Sequence, residues 1–293
     1  MSIREYWKLK QVAVDRYLKK SLPSPKSKPA TIHEAMHYSL FAGGKRLRPV
    51  LCLAAADAID PHWEVALPLA GAVECIHTYS LIHDDLPCMD DDDLRRGKPT
   101  SHKIYGEGIA VLTGDALLNQ AYQLAATASR TKRYSVADLV AELGYAGSSK
   151  ALIAGQVADI ENEGKKITLS QLRYIHQNKT AALIASSIRL GAMAANATPR
   201  QLEALTDFGQ SLGLAFQVID DILDITQTSE QLGKSAGKDL TAEKATYPAL
   251  LGLDGAKKEA NRLTQKAYQS LKPLGKKASR LEQIASIMLS REN

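Results

Sequence analysis

Apolar residues return every three or four positions through almost the whole chain: Ile32, Ala35, Met36 and Leu40; Leu172 and Ile175, then Leu183 and Ile184 past a polar turn; Leu202, Leu205, Phe208 and Leu212. That period lays each set along one stripe of an α-helix, whereas a half-buried strand needs alternation by two. Alternating runs of Val, Ile and aromatic residues are missing. The expected fold is therefore all-α, with roughly ten or more helices of about 12 residues each. Breaks fall at SLPSPKSKPA, DPHW, the Asp-rich segment, SRTKRY, ENEGKK, ANATPR and KPLGKK, and none is long enough to link two domains. Residues 1–293 are thus expected to form a single helical domain, with 45% hydrophobic content to supply its core.

Two segments, LCLAAADA and GEGIAVLTGDALLNQAYQLAATA, are apolar on more than one face. Such helices sit in the middle of a bundle or at a subunit interface, which makes a homodimer the expected assembly. The net charge of +5 is scattered, and none of the 16 aromatic residues interleaves with a basic run, so nucleic acid is not an expected partner. Cys52, Cys75 and Cys88 are odd in number and form no CxxC pair, which fits a reducing cytosol. The opening MSIREYWKLKQVAVDRYLKK is charged throughout and lacks the apolar core of a signal peptide. TAALIASSIRLGAMAANA carries Arg189 and falls short of the roughly 18 uninterrupted apolar residues of a membrane span. No span and a cytoplasmic location are expected.

Chemistry concentrates in HDDLPCMDDDDLRRGK, where six aspartates fall within positions 84–93 and meet an Arg-Arg pair. A helix is expected from about Leu67 until Pro87, which donates no amide hydrogen and disfavours helix in its predecessor. Asp84 and Asp85 would then stand at a helix C-terminus, where the dipole disfavours negative charge unless a cation joins them. Glu74, His77, Leu81 and Asp84 share one face of that helix, and Asp90 can converge on Asp84 as the loop folds back. An EF-hand is excluded by spacing, and carboxylates at this density suit magnesium, which completes its shell with water and substrate phosphates.

A second cluster sits in FGQSLGLAFQVIDDILDIT, residues 208–226. Asp220 and Asp224 lie one turn apart with Gln217 on the same side, and Asp221 adds a third carboxylate to an otherwise apolar helix. Such charges are costly to bury without a cation. Two acidic clusters facing each other across a bundle can hold metals that clamp one phosphate-rich ligand. The basic residues fall into sets of their own. FAGGKRLRPVL puts Lys45, Arg46 and Arg48 after a Gly-Gly break at a helix start. Arg95 and Arg96 follow the first acidic cluster, and Lys179 with Thr180, then Lys234, Lys238 and Lys244, follow in the second half. Two cationic sets with one set of metals suggest two phosphorylated ligands. His33-Glu-Ala-Met-His37 matches HExxH, but no third zinc ligand follows at suitable spacing.

Together these motifs resemble those of the trans-prenyl diphosphate synthases, most closely the bacterial farnesyl diphosphate synthases. The resemblance runs through FAGGKRLRP, ECIHTYSLIHDDLPCMDDDDLRRGKPT, TGDALLNQA, GQVADIENEG, NKTAALI, FQVIDDILD, LGKSAGKD and KATYPALLGL. It implies a helical bundle around a deep central cavity, usually dimeric, that joins isopentenyl diphosphate to the allylic dimethylallyl and geranyl diphosphates. Asp84, Asp85 and Asp90, with Asp91 beside them, and Asp220, Asp221 and Asp224 would hold up to three magnesium ions. Arg95, Lys179, Thr180, Gln217, Lys234 and Lys244 would contact the allylic diphosphate. Lys45, Arg48, His77 and Arg96 would contact isopentenyl diphosphate. Lys179 and Thr180 would also steady the allylic cation, and released diphosphate would take the proton. Tyr79 and Ser80, five and four residues before Asp84, would shape the pocket floor and stop growth at fifteen carbons. A geranylgeranyl or geranyl diphosphate synthase is the near alternative; a terpene cyclase and a non-catalytic partner subunit are the distant ones. ASIMLSREN departs from relatives that carry an aromatic shortly before the last Arg, here Arg291.

Overall fold

The computed structural model describes residues 1–226 and 245–290. Lys234, Lys238, Lys244 and Arg291 lie outside the described residues. Among the described residues the chain is helical almost throughout, and the helix starts follow local chemistry. In α1 (Ile3–Ser21) Ser2 and Glu5 cap each other reciprocally, as Ser135 and Asp138 do before α7 (Val136–Ala146) and Thr168 and Gln171 before α9 (Leu169–His176). Between them run α2 (Ala30–Leu40), α3 (Leu47–Ile59), α4 (Leu67–Asp84), α5 (Ser101–Tyr105), α6 (Glu107–Ala126) and α8 (Leu152–Asn162). Then follow α10 (Ala182–Ala194), α11 (Pro199–Thr226), α12 (Tyr247–Ser270) and α13 (Ser279–Ser290).

The helices with apolar residues all round are the central ones, as their composition requires. In α3 the run Pro49–Ala56 is buried without interruption, and α10 is buried from Leu183 to Ser187. α4 packs along α6, α10 against α3 and α11, and α11 along α12. α6 turns Leu117, Ala121 and Leu124 inward while Val111 and Leu112 face outward. Among the described residues the stretch nearest to a membrane span is Trp63–Asp84 rather than 180–197, yet 67% of an 18-residue apolar window within it is buried inside the protein, as a core helix is. Cys52, Cys75 and Cys88 are all free, the first two buried.

Three local features depart from the sequence expectation. A two-residue hairpin pairs Leu94 with Pro99 and Arg95 with Lys98. Its turn residues Arg96 and Gly97 both have positive φ, the requirement of a tight type I′ connection. Lys179 and Thr180 sit in a π-helical turn, Gln177–Ala181, between α9 and α10. The helix expected to run until Pro87 stops at Asp84, with Asp85 as its cap. The HExxH histidines each meet a carbonyl of the preceding loop, His33 Nδ1 at 3.0 Å from Ser27 O and His37 Nε2 at 2.9 Å from Pro23 O.

Candidate active site

The acidic loop returns onto the end of α4. Asp90 N donates to Asp84 O at 2.9 Å and Asp92 N to Asp85 O at 3.2 Å, so the carboxylates of positions 84–92 crowd one helix terminus. Asp85 is buried, and burial raises its pKa against the pull of Arg95, whose Nε lies 2.7 and 2.9 Å from the two carboxylate oxygens. Although burial opposes the Arg95 charge, the bonds and field of Asp85 keep that guanidinium above its usual pKa. Asp84 accepts from Gln156 Nε2 and lies 3.8 Å from Lys179 Nζ.

Lys179 also lies 2.7 Å from Asp159 Oδ2, and with it lines a cleft of about 190 Å³ shared by His176, Thr180, Gln217, Asp220 and Asp221. The second acidic helix therefore meets the first acidic cluster through this lysine. Asp221 Oδ2 accepts from Tyr247 N at 2.9 Å, and Asp224 is buried one turn further on. The π-helical turn is wedged from both sides by close backbone contact. A Cβ at Gly155 would lie 2.6 Å from Lys179 Cα, and one at Gly213 the same distance from Ala181 Cα. π-turns interrupt the ordinary ladder and recur at functional sites.

A second cationic pocket lies further back on the same face of α4. Arg48 Nη1 is 3.3 Å from His77 Nε2, so the imidazole accepts from the guanidinium. Burial, reinforced by Arg48 and Arg96, holds His77 well below the usual histidine range. Burial and Arg96 push Arg48 down to about 10 despite Glu74. Arg96, on the turn of the hairpin, donates to Gly43 O and is likewise lowered by burial and by Arg46 and Arg95. Burial is the main cause of both shifts, and the mutual repulsion of the arginines, partly offset by Glu74, is one that an anion would relieve. Seven residues separate His77 from Asp84, about 10 Å along a helix rising about 1.5 Å per residue. Tyr79 is buried, edge-on to His83 with centroids 5.8 Å apart, and Ser80 Oγ turns back to His77 O at 2.9 Å.

Several partners here escaped the sequence reading. Gln156 and Asp159 are three apart on α8, and that polar pair on an otherwise apolar stretch was the available signal. His176, pushed down to about 4 chiefly by burial, lines the cleft as a neutral ring. Arg46 belonged to the basic motif, but it is buried and faces Glu74 Oε1 and Asp15 Oδ1, each at 2.8 Å, rather than an open pocket.

Residues 29–288 match the polyprenyl synthetase family. The chloroplastic geranylgeranyl pyrophosphate synthase of Capsicum annuum is 52% identical over 269 residues, 90% of this chain and 73% of that one. The farnesyl diphosphate synthase of Geobacillus stearothermophilus is 43% identical over 295 residues, covering 100% and 99%. The crystal structure of a geranyltransferase from Legionella pneumophila superposes with a TM-score of 0.86 at 33% identity, over 99% of this chain and 96% of that one.

Proposed function

The chain belongs to the polyprenyl synthetase family, and from that premise we propose that it condenses isopentenyl diphosphate with dimethylallyl and then geranyl diphosphate to make farnesyl diphosphate. The observation that carries the reading is the pair of groups on one face of α4: an acidic and cationic cluster at Asp84, and a separate cluster at His77, where Arg48 bonds the neutral ring. A terpene cyclase takes one diphosphate and has no use for the second.

The six aspartates 84, 85, 90, 220, 221 and 224 offer only oxygen donors, which fits magnesium, in up to three ions. When bound, magnesium would offset the charge that grows on the departing diphosphate. Lys179 and Gln217 would supply further positive charge and hydrogen bonds at the cleft, and Arg95 beside Asp85, with Lys234 and Lys244 proposed from sequence alone. The allylic carbon–oxygen bond breaks there, and the carbocation left behind faces Lys179, Thr180 and the carbonyls of the π-helical turn. Isopentenyl diphosphate is held by Lys45, Arg48, His77 and Arg96. Its double bond forms the new carbon–carbon bond, and the released diphosphate takes the proton. His77, kept neutral, donates or accepts one hydrogen bond without adding charge.

Product length rests on Tyr79, whose buried ring would close the pocket seven or so ångströms below Asp84 at about 1.5 Å per residue. A twenty-carbon product is the second reading, supported by the 52% identity to a geranylgeranyl pyrophosphate synthase. Incubation with dimethylallyl and isopentenyl diphosphates, magnesium titration and chromatography of the dephosphorylated products separates them. Mostly fifteen-carbon alcohol supports the first reading, mostly twenty-carbon the second, and turnover without isopentenyl diphosphate contradicts both.

The exposed Val111 and Leu112 of α6, with Ile153, Val157 and Ile160 of α8, support a homodimer. Light scattering at micromolar concentration tests it. Three free cysteines, one of them exposed, support a reducing cytosol.

A further inference from the structure

The turn that carries Lys45 is made of backbone that L-residues avoid. Gly43 and Gly44 have φ of 110° and 112°, and Arg46, the residue before α3, has φ 52° with no side-chain cap on the helix. Positive φ is the natural province of glycine, and Arg46 holds it only because its surroundings do. The carbonyls of this turn go to side chains from elsewhere. Gly43 O accepts from Arg96 and Arg46, Gly44 O from Gln11 Nε2 at 3.1 Å, and Lys45 O from Trp7 Nε1 at 2.8 Å. Arg46 is in turn fixed by Asp15 at 2.8 Å, Glu74 at 2.8 Å and Leu40 O at 2.7 Å.

Trp7, Gln11 and Asp15 stand four residues apart on α1, so they form a single stripe, and their three contacts fall in order on Lys45, Gly44 and Arg46. A different stripe, Tyr6, Lys10, Val14 and Leu18, is the one buried against the body of the protein. The helix is thus docked by one face and holds the turn with the next. The allylic side of the site is built from α8, the π-helical turn, α11, the end of α4 and Arg95 of the hairpin, none of which the Trp7 stripe bonds.

We infer that α1 belongs to the isopentenyl diphosphate pocket: Trp7, Gln11 and Asp15 are positioning residues that set the Lys45–Arg48 turn and so the grip on the homoallylic substrate alone. The inference rests on the assignment of Lys45 and Arg48 to that substrate. It assigns to a helix ahead of residue 29 a part in substrate selection.

The test uses the full chain with magnesium, varying isopentenyl diphosphate at saturating geranyl diphosphate and the reverse. Trp7→Phe removes the indole N–H together with part of the ring's packing, Gln11→Leu the amide, and Asp15→Asn the charge, while the buried stripe is untouched. Each lost bond is expected to raise KM for isopentenyl diphosphate roughly three- to tenfold. KM for geranyl diphosphate should stay within about twofold, and Asp15→Glu should recover part of the loss. Calorimetric binding of isopentenyl diphosphate alone should weaken in parallel. Lys45→Ala separates the two layers of the argument. If it leaves KM for isopentenyl diphosphate unchanged, the pocket assignment fails. If it raises that KM while Trp7→Phe and Gln11→Leu do not, or if these raise both KM values equally, the role of α1 is overturned.

Discussion

Lys179 Nζ lies 3.8 Å from a carboxylate oxygen of Asp84, so a cation expected to hold diphosphate and a carboxylate expected to hold metal are partners of one another. Arg95 and Asp85 repeat the arrangement. On the proposed function, loading the site would exchange partners: metal would take the carboxylates as diphosphate took the cations. Asp84→Asn should lower turnover roughly 100- to 1,000-fold, the scale of losing one electrostatic contact to a transition state. Steady-state rates across a magnesium titration measure it, and near-normal turnover at ordinary magnesium would remove Asp84 from the site.

Gly155 controls where Lys179 stands. An added Cβ meets the Lys179 backbone, which has no rotamer to yield, so Gly155→Ala should cost about 1–3 kcal/mol of stability and slow catalysis as the π-helical turn shifts. Gly147, whose nearest neighbour would be 3.8 Å from a new Cβ, is the matched control. Denaturant midpoints that fall equally for both alanine variants would contradict this reading.

Tyr79→Ala should open the pocket floor and move product from fifteen carbons toward twenty or more. The cavity also destabilises the chain, by about 3 kcal/mol on the scale of large aromatic truncations. Mass spectrometry of the products decides the matter, and an unchanged length distribution would locate the floor elsewhere.

His77 and His176 are both held neutral in the folded chain, the latter with a pKa of about 4. Unfolded histidines take up a proton near pH 6.5, so the unfolded state binds more protons below that pH. Stability is then full above about pH 6.5 and falls as the solution is acidified toward pH 4. Urea midpoints from pH 7 to 5 should show that slope, and the double variant His77→Asn, His176→Asn should flatten it. A slope that survives the double variant assigns the effect to other groups.

The comparison between chain and fold divides by sequence distance. The helix beginning at Leu67, the face shared by Glu74, His77 and Asp84, and the pairing of Gln217 with Asp220 all follow from helical periodicity within one segment, and the structure has them as expected. Proline at position 87 marked the fold-back of the acidic loop, though the helix ends three residues earlier, at Asp84, with Asp85 as its cap. What periodicity could not supply were contacts between segments: Gln156 with Asp84, Asp159 with Lys179, and Arg46 with Glu74 and Asp15. The hairpin that separates Arg95 from Arg96 was too short to register as alternation, since two residues per strand give no repeat. Arg95 ends the first strand and meets Asp85, while Arg96 opens the turn with positive φ and is aimed instead at Gly43.

The stripe of Trp7, Gln11 and Asp15 depends on register rather than on any motif. One residue inserted between positions 7 and 15 would rotate part of the stripe by about 100° and detach it from the turn, leaving GGKRLRP itself unaltered. The family model matches from residue 29, beyond the end of α1, whereas the Geobacillus stearothermophilus enzyme aligns with the whole chain. Chimeras that exchange the Gly-Gly turn between relatives should therefore carry the N-terminal helix with it as one cassette. Alignment gaps ahead of the first shared motif become informative, because they mark where two chains with the same basic residues hold them differently.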